Sequence, residues 1–223
     1  MEFFLIIILF SLDMNHLEKI ITDALVKGQH NGEQWRKIVI LVEGIYSMEG
    51  TIINLPELIR IKKKYRAYVY MDEAHSIGAM GPLGRGICDY YGCDPRDIDI
   101  LMGTFTKSFA AAGGYIAGDK RIINYIRTNS ASFFYGTTMA APICQQISSI
   151  LDDFLSLNND TNIKSPMQCR ILQLRKNVFR FRQKLKQLGF HIDGNNDSPV
   201  VPLMVYSPSH LKYVHHNNHF IID

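Results

Sequence analysis

The chain has 223 residues, 47% of them hydrophobic, enough for one sizeable core or one domain and part of another. Its formal net charge is only +3, and the two basic clusters, 60–66 and 170–186, read as solvated helix faces rather than a nucleic-acid groove. The four cysteines (Cys88, Cys93, Cys144 and Cys169) lack the CxxC spacing of a structural zinc site and read as reduced thiols.

Met1 to Phe10 holds nine apolar residues, with Glu2 as the only charge. It falls short of the roughly 20 residues a spanning helix needs, and it lacks the positive start of a signal peptide. Three readings fit: a buried strand, a membrane-surface anchor, or the scar of an incorrect chain start. Asp13 to Val26 is a predicted helix, with Leu17, Ile20, Ile21, Ala24 and Leu25 at helical spacing. A polar loop follows, then the continuous apolar run Lys37 to Glu43, a parallel strand buried on both faces. Pro56 to Tyr65 reads as a helix capped by Asn54. Tyr68 to Met71 is a strand stopping at Asp72, and the glycines between Gly78 and Gly86 mark a long structured loop. Strands are expected over Asp99 to Met102 and Gly113 to Gly118. Helices are expected over Asp119 to Arg127, Ala141 to Leu155 and Met167 to Leu188. Beyond Leu188, Gly189 to Ile192 and Val200 to Val205 look like strands of a smaller second domain. The alternation predicts an α/β fold with a parallel-rich sheet flanked by helices. The division expected is an atypical apolar N-terminus over 1–12, part of a large domain over 13–165, and an inter-domain helix with the start of a small α+β domain over 166–223. Asn158 to Ser165 reads as a polar linker. The histidines His210, His215, His216 and His219 read as a polar terminus rather than a metal site, and no metal ligands are assigned.

In an open α/β sheet, ligands sit beyond the carboxyl ends of the strands. Three such ends here deliver distinctive residues: Glu43 to Met48, Asp72-Glu73-Ala74-His75, and Gly103-Thr104-Phe105-Thr106-Lys107. An aspartate and a lysine on neighbouring strand ends can hold pyridoxal phosphate (PLP). The lysine amine joins the aldehyde, and the carboxylate keeps the pyridine nitrogen protonated so that the ring draws electrons from a substrate carbon. Thr104 and Thr106 offer hydroxyls for the phosphate, and His75 can reach the ring oxygen or a substrate carbonyl. The same Asp-Glu-Ala-His run occurs in nucleic-acid helicases, but those also need a GxxxxGK[ST] phosphate loop, which this sequence lacks. Nor does the 81–86 segment have the GxGxxG spacing of a dinucleotide loop.

Val42 to Gly50 (VEGIYSMEG), Asp72 to Gly86 (DEAHSIGAMGPLGRG) and Gly103 to Tyr115 (GTFTKSFAAAGGY) resemble the α-oxoamine synthases, fold-type I enzymes that use PLP. The similarity runs from about Asn15 to about Val205 and includes Asp197 to Leu203. It is strongest to the lysine-bearing catalytic subunit of the branch that condenses L-serine with palmitoyl-CoA. The resemblance implies a fold-type I transferase in which Lys107 and His75 are catalytic. Lys107 carries PLP, Asp72 pairs with the ring nitrogen, and Ala74 lies against the ring. His75 and Ser47 are near the ring hydroxyl, and Thr104 contacts the phosphate. Thr138 is similar to the residue that reaches the phosphate of the neighbouring subunit. Glu43 lies in the pocket segment without an assigned step. The implied reaction is a decarboxylative condensation giving 3-ketodihydrosphingosine, the first step of sphingolipid synthesis. The implied setting is a complex with a non-catalytic synthase subunit, or a homodimer, on the cytosolic face of the endoplasmic reticulum membrane.

The family pattern also implies segments on either side of this sequence, so the chain is read as the central part of a longer synthase. Two other readings stay open: an α-oxoamine synthase that uses glycine or alanine, and a non-catalytic fragment or binding subunit. One departure falls beside the lysine. The family has glycine where this chain has Ala110, and a β-carbon there crowds the loop if the position needs a positive φ.

Overall fold

The computed structural model describes residues 4–9, 13–29, 31–155, 166–203 and 220–222. The expected 158–165 linker, residues 204–205 of the last expected strand and the histidine-rich tail lie outside the described residues.

Five strands form the main sheet: β1 (Phe4–Ile8), β2 (Lys37–Glu43), β5 (Tyr68–Asp72), β6 (Ile100–Thr104) and β7 (Gly114–Gly118), in the order β1-β2-β5-β6-β7. The first four run parallel, and β7 returns antiparallel on the edge. Between them, β3 (Ile45–Tyr46) and β4 (Thr51–Ile52) form a small hairpin that sequence patterning did not separate from the β2 exit. Two-residue strands are too short to show a period.

Of the three readings of the apolar start, the structure has the strand. Phe4 to Ile8 pairs with Lys37 to Leu41, and Ile7 and Leu9 are buried in the core. The strand has one apolar face inward, while Phe4, Ile6 and Ile8 face outward and are about half exposed.

Helix α1 (Met14–Lys27) starts where Asp13 Oδ1 accepts from the backbone N–H of Asn15 at 2.9 Å and of His16 at 3.1 Å, meeting donors that a helix start leaves unpaired. Helix α2 (Leu55–Tyr65) has Asn54 in the same role and Pro56 in its first turn. Leu17, Ile21, Leu58 and Ile61 are fully buried, each contributing about 1.5–3 kcal/mol of burial free energy. With Ile40, Val69 and Met71 from the sheet they make the principal core.

A short helix α3 (Ile87–Tyr91) and a 3-10 turn (Pro95–Asp97) lead into β6, which runs two residues beyond its expected end. After β7 come α4 (Lys120–Asn129), α5 (Ala131–Tyr135), α6 (Ala141–Leu155) and α7 (Pro166–Gln187). A second apolar cluster joins Phe105 and Phe109 to Ile147 and Phe154 of α6 and to Met167 and Ile171 of α7. Among the described residues, no helix is long and apolar enough to cross a membrane.

Two expectations need correction. Gly189 to Ile192 is not a strand. Its N–H groups finish α7 instead: Gly189 donates to Lys186 O at 3.0 Å and Phe190 to Leu185 O at 3.1 Å, a helix-terminating use of backbone donors that leaves no ladder to form. The basic face of α7 is also not wholly solvated. Arg182 is buried and donates to the carbonyls of Asp193 and Val200, both at 2.9 Å. Burial pulls its pKa down. It thereby seats the final segment, in which β8 (Val201–Leu203) pairs antiparallel with β9 (Phe220–Ile222). Asn195 ties that segment to the small hairpin, its side chain accepting from Ile52 N–H at 2.8 Å.

Candidate functional site

The sheet register fixes the first half of the site. Glu43 stands opposite Asp72 on the neighbouring strand, and Asp72 stands opposite Met102, two residues before the end of β6. The carboxyl ends of β2, β5 and β6 therefore open side by side, and the loops that leave them carry the candidate residues.

Asp72 is the last residue of β5, and its Oδ1 accepts from Ala74 N–H at 2.7 Å. That bond turns the chain so that His75 leaves the strand end toward β6. Three residues past β6, Lys107 Nζ is in direct hydrogen-bond contact with His75 Nε2. The two loops thus meet at the pair the sequence nominated. Thr104 Oγ1 and Thr106 Oγ1 share a hydrogen bond of 2.7 Å, and Thr104 also donates to Gly113 O at 3.2 Å. Both hydroxyls therefore sit on the same side of the β6 exit. Ser47 lies in the β3–β4 turn, where its N–H donates to Glu43 Oε2 at 3.2 Å. Thr138 stands apart. It is exposed between α5 and α6, and among the described residues it joins none of the hydrogen bonds that link the others.

The electrostatics follow from this crowding. Burial pushes the Glu43 carboxyl above its usual range. Asp72 and Glu49 add to the rise, while Ser47 N–H and Lys107 oppose it. Glu43 therefore feels both the Asp72 charge and the Lys107 charge. The arrangement supplies a carboxylate, an amine beside an imidazole, and paired hydroxyls around one set of strand ends. That donor set suits a ligand with a basic ring nitrogen, an electrophilic carbonyl and an anionic group.

Sequence reasoning missed three supports. Ser108 Oγ donates to Ile77 O at 2.6 Å, tying the lysine loop to the histidine loop. Gln146 of α6 donates to the carbonyls of Phe109 and Ala110. Glu73 lies wholly inside, accepting from Ser76 Oγ at 2.5 Å and from Ile87 N–H at 3.0 Å. Only Glu73 had a sequence signal, a second acid directly after Asp72 at the end of β5. Ala110 does take a positive φ, +46°, a conformation that costs a residue with a β-carbon roughly 1–2 kcal/mol.

Glu73 makes a pH prediction. Burial raises its carboxyl pKa, while Ser76 and Ile87 N–H pull it down. A carboxyl raised in the native state binds its proton there more tightly than in the unfolded chain. Its contribution is full below the unfolded value of about 4.3 and diminishes as pH rises through that value toward the folded pKa. Glu73→Gln keeps an acceptor for Ile87 N–H and removes the titration. The variant should gain stability relative to the parent as pH rises from about 4 to 7. Urea unfolding across that range would show it; a parent–variant difference that stays flat would dismiss it.

Residues 8–221 match the family described as aminotransferase class I and II. The chain is 52% identical over 198 residues to serine palmitoyltransferase 2 of Caenorhabditis elegans, covering 88% of this chain and 35% of that protein. It is 51% identical over 193 residues to serine palmitoyltransferase 3 of Homo sapiens, covering 86% and 34%. It thus spans about a third of the length of these relatives. Among solved structures, a serine palmitoyltransferase variant from S. paucimobilis with a bound PLP–myriocin aldimine superposes with a TM-score of 0.75 at 22% identity, covering 92% of this chain and 54% of that one. That likeness places the chain in the same fold.

Proposed function

The chain belongs to the aminotransferase class I and II family, and from that premise we propose that it is the PLP-bearing part of a serine palmitoyltransferase. The reaction would condense L-serine with palmitoyl-CoA, releasing carbon dioxide and CoA and forming 3-ketodihydrosphingosine. The observation that carries this reading is the meeting of Lys107 with His75 beside the Asp72 strand end.

The residues fit the cofactor. Asp72 would hold the pyridine nitrogen, Lys107 the aldehyde, and Thr104 the phosphate, with Ala74 against the ring and Ser47 and His75 near the ring hydroxyl. When bound, PLP supplies the electron sink that lets the bond between the serine α-carbon and its carboxylate break. The chain's own groups do the rest. Asp72 keeps a proton on the ring nitrogen, because a close carboxylate favours the charged form. Lys107 would hold the aldehyde, and its amine, when not bonded there, would carry a proton at the serine α-carbon. His75, bonded to Lys107, holds that amine at the strand ends and can take its proton.

Thr138, away from this site in a single chain, would serve a site across a subunit boundary. The partner would be a second synthase subunit or another copy, and the location the cytosolic face of the endoplasmic reticulum membrane; the motif resemblance supports both. We also read residues 13–165 as part of the PLP-binding domain and 166–223 as the inter-domain helix with the start of a smaller one.

The test is reductive trapping. The full chain is incubated with PLP, reduced with borohydride and mapped by peptide mass. A reduced adduct on Lys107 is expected, as is turnover of serine with palmitoyl-CoA well above glycine with short acyl-CoA. A folded chain without an adduct would overturn the reading, and a preference for glycine would move it to another branch of the synthases.

A further inference from the structure

The turn that presents Lys107 is closed by its own backbone and held by α6. Ala110 N–H donates to Lys107 O at 2.9 Å, and Ala111 N–H donates to Phe105 O at 2.8 Å. The carbonyls of Phe109 and Ala110 converge on one outside nitrogen. Gln146 Nε2 donates to Ala110 O at 2.6 Å and to Phe109 O at 3.3 Å. One amide with two protons thus fixes two successive peptide planes, both just beyond Lys107.

The same helix grips the same turn through apolar contact. Ile147, next to Gln146, is in the cluster with Phe105 and Phe109. Phe154, two turns further along, packs its ring on Phe109 at 5.6 Å between centroids. Phe109 itself is 1% exposed. The apolar grip sets how deep the turn sits; the turn's own bonds hold the N–H side of the two peptide planes, and Gln146 holds their carbonyl side. Those planes are where the turn is strained, because Ala110 holds a φ of +46° with a β-carbon present. Without that outside donor each strained plane is held at its N–H alone and can tilt, and the tilt moves the backbone that aims Lys107 Nζ at His75.

We infer that Gln146 is a positioning residue: by clamping the Phe109 and Ala110 carbonyls it holds the strained turn that directs the Lys107 amine toward His75. The inference rests on the reading of Lys107 as the reacting amine. It predicts a coupling between Gln146 and Ala110, since a glycine in place of Ala110 adopts the turn unaided and has less need of the clamp.

The test is competitive labelling of Lys107 with acetic anhydride in the full chain without PLP. It is read by peptide mass from about pH 7 to 11, bracketing the ordinary lysine pKa. Gln146→Met keeps the length and removes the donor; Gln146→Glu keeps the shape and replaces the donor with acceptors. Each should change Lys107 reactivity by roughly threefold or more relative to other lysines of the same chain. Adding Ala110→Gly to Gln146→Met should bring the profile most of the way back to that of the parent. A folded Gln146→Met or Gln146→Glu chain whose Lys107 profile equals the parent's overturns the inference, even if its melting temperature falls. An equal effect of the Gln146 substitutions with and without Ala110→Gly overturns it too; if Gln146→Met alone fails to fold, Gln146→Glu with and without Ala110→Gly decides. Because no cofactor is added, failure of the parent to capture PLP would count against the proposed function and leave the clamp's effect on Lys107 readable.

Discussion

On the proposed function, Lys107→Ala should leave the chain folded, abolish covalent capture of PLP, and lower the rate of the proposed serine–palmitoyl-CoA condensation by roughly a thousandfold or more. Removing the group that makes and breaks the covalent bond in such a reaction carries an effect of that size. The fold should tolerate the change, because Lys107 is exposed in a turn closed by backbone bonds of neighbouring residues. Its side chain meets His75 but contributes to neither apolar cluster. Circular dichroism and thermal unfolding would show the fold kept, and peptide mapping after borohydride reduction would show the adduct gone. His75→Ala should act differently. It removes the imidazole beside the amine but keeps the amine, so the adduct should still form while turnover drops by about 10²–10⁴-fold. If Lys107→Ala retains full turnover, another lysine is the reacting group, and the site built from the β5 and β6 exits is misassigned.

The separation between those two variants depends on how the sheet brings the loops together, and that was legible in the sequence in unequal measure. β2, β5, α1 and α2 announced themselves through continuous apolar runs, helical spacing and capping residues, because each rule acts within a few residues. The positions of Asp72 and Lys107 at strand ends followed from where those runs stop. What could not be read is any contact set by distant parts of the chain. Gln146 lies on a helix whose pattern gives no hint that one amide serves the lysine turn. Gly189 to Ile192, just past α7, read as a strand, yet the N–H groups of Gly189 and Phe190 serve the helix end. Arg182 read as solvent-facing from composition, whereas its partners, the carbonyls of Asp193 and Val200, lie beyond the helix. The apolar start admitted three readings because a strand buried on one face and paired on one edge has the composition of a short anchor. Its pairing with Lys37 to Leu41 is what separates the strand from the anchor. Ala110 was legible as a conflict: the residue type argued against a positive φ, and the turn required one.

Gly86→Ala should destabilise the chain by about 3 kcal/mol, two costs adding at one residue. Gly86 holds a φ of +88°, where a β-carbon costs about 1–2 kcal/mol. A β-carbon built there would also occupy the place of the Glu73 carboxylate. Glu73 cannot step aside cheaply. It is buried, and it accepts from Ser76 Oγ and from Ile87 N–H. Displacing it leaves those donors unpaired, a cost of about 1–3 kcal/mol when the groups stay away from water. For a chain of this length about 3 kcal/mol lowers the melting temperature by roughly 6–12 °C. The consequence reaches the site, because Glu73 lies between Asp72 and the loop of His75, and its own N–H donates to Met102 O at 2.7 Å, bridging β5 to β6. A shifted Glu73 therefore loosens the strand ends that hold Asp72 and Lys107. PLP capture by Gly86→Ala should weaken even at temperatures where the chain is still folded. Thermal unfolding and PLP titration of the same preparation separate the two effects. A melting temperature within about 2 °C of the parent would mean that the Glu73 pocket can accept a methyl group, and that the carboxylate is not the fixed anchor its hydrogen bonds describe.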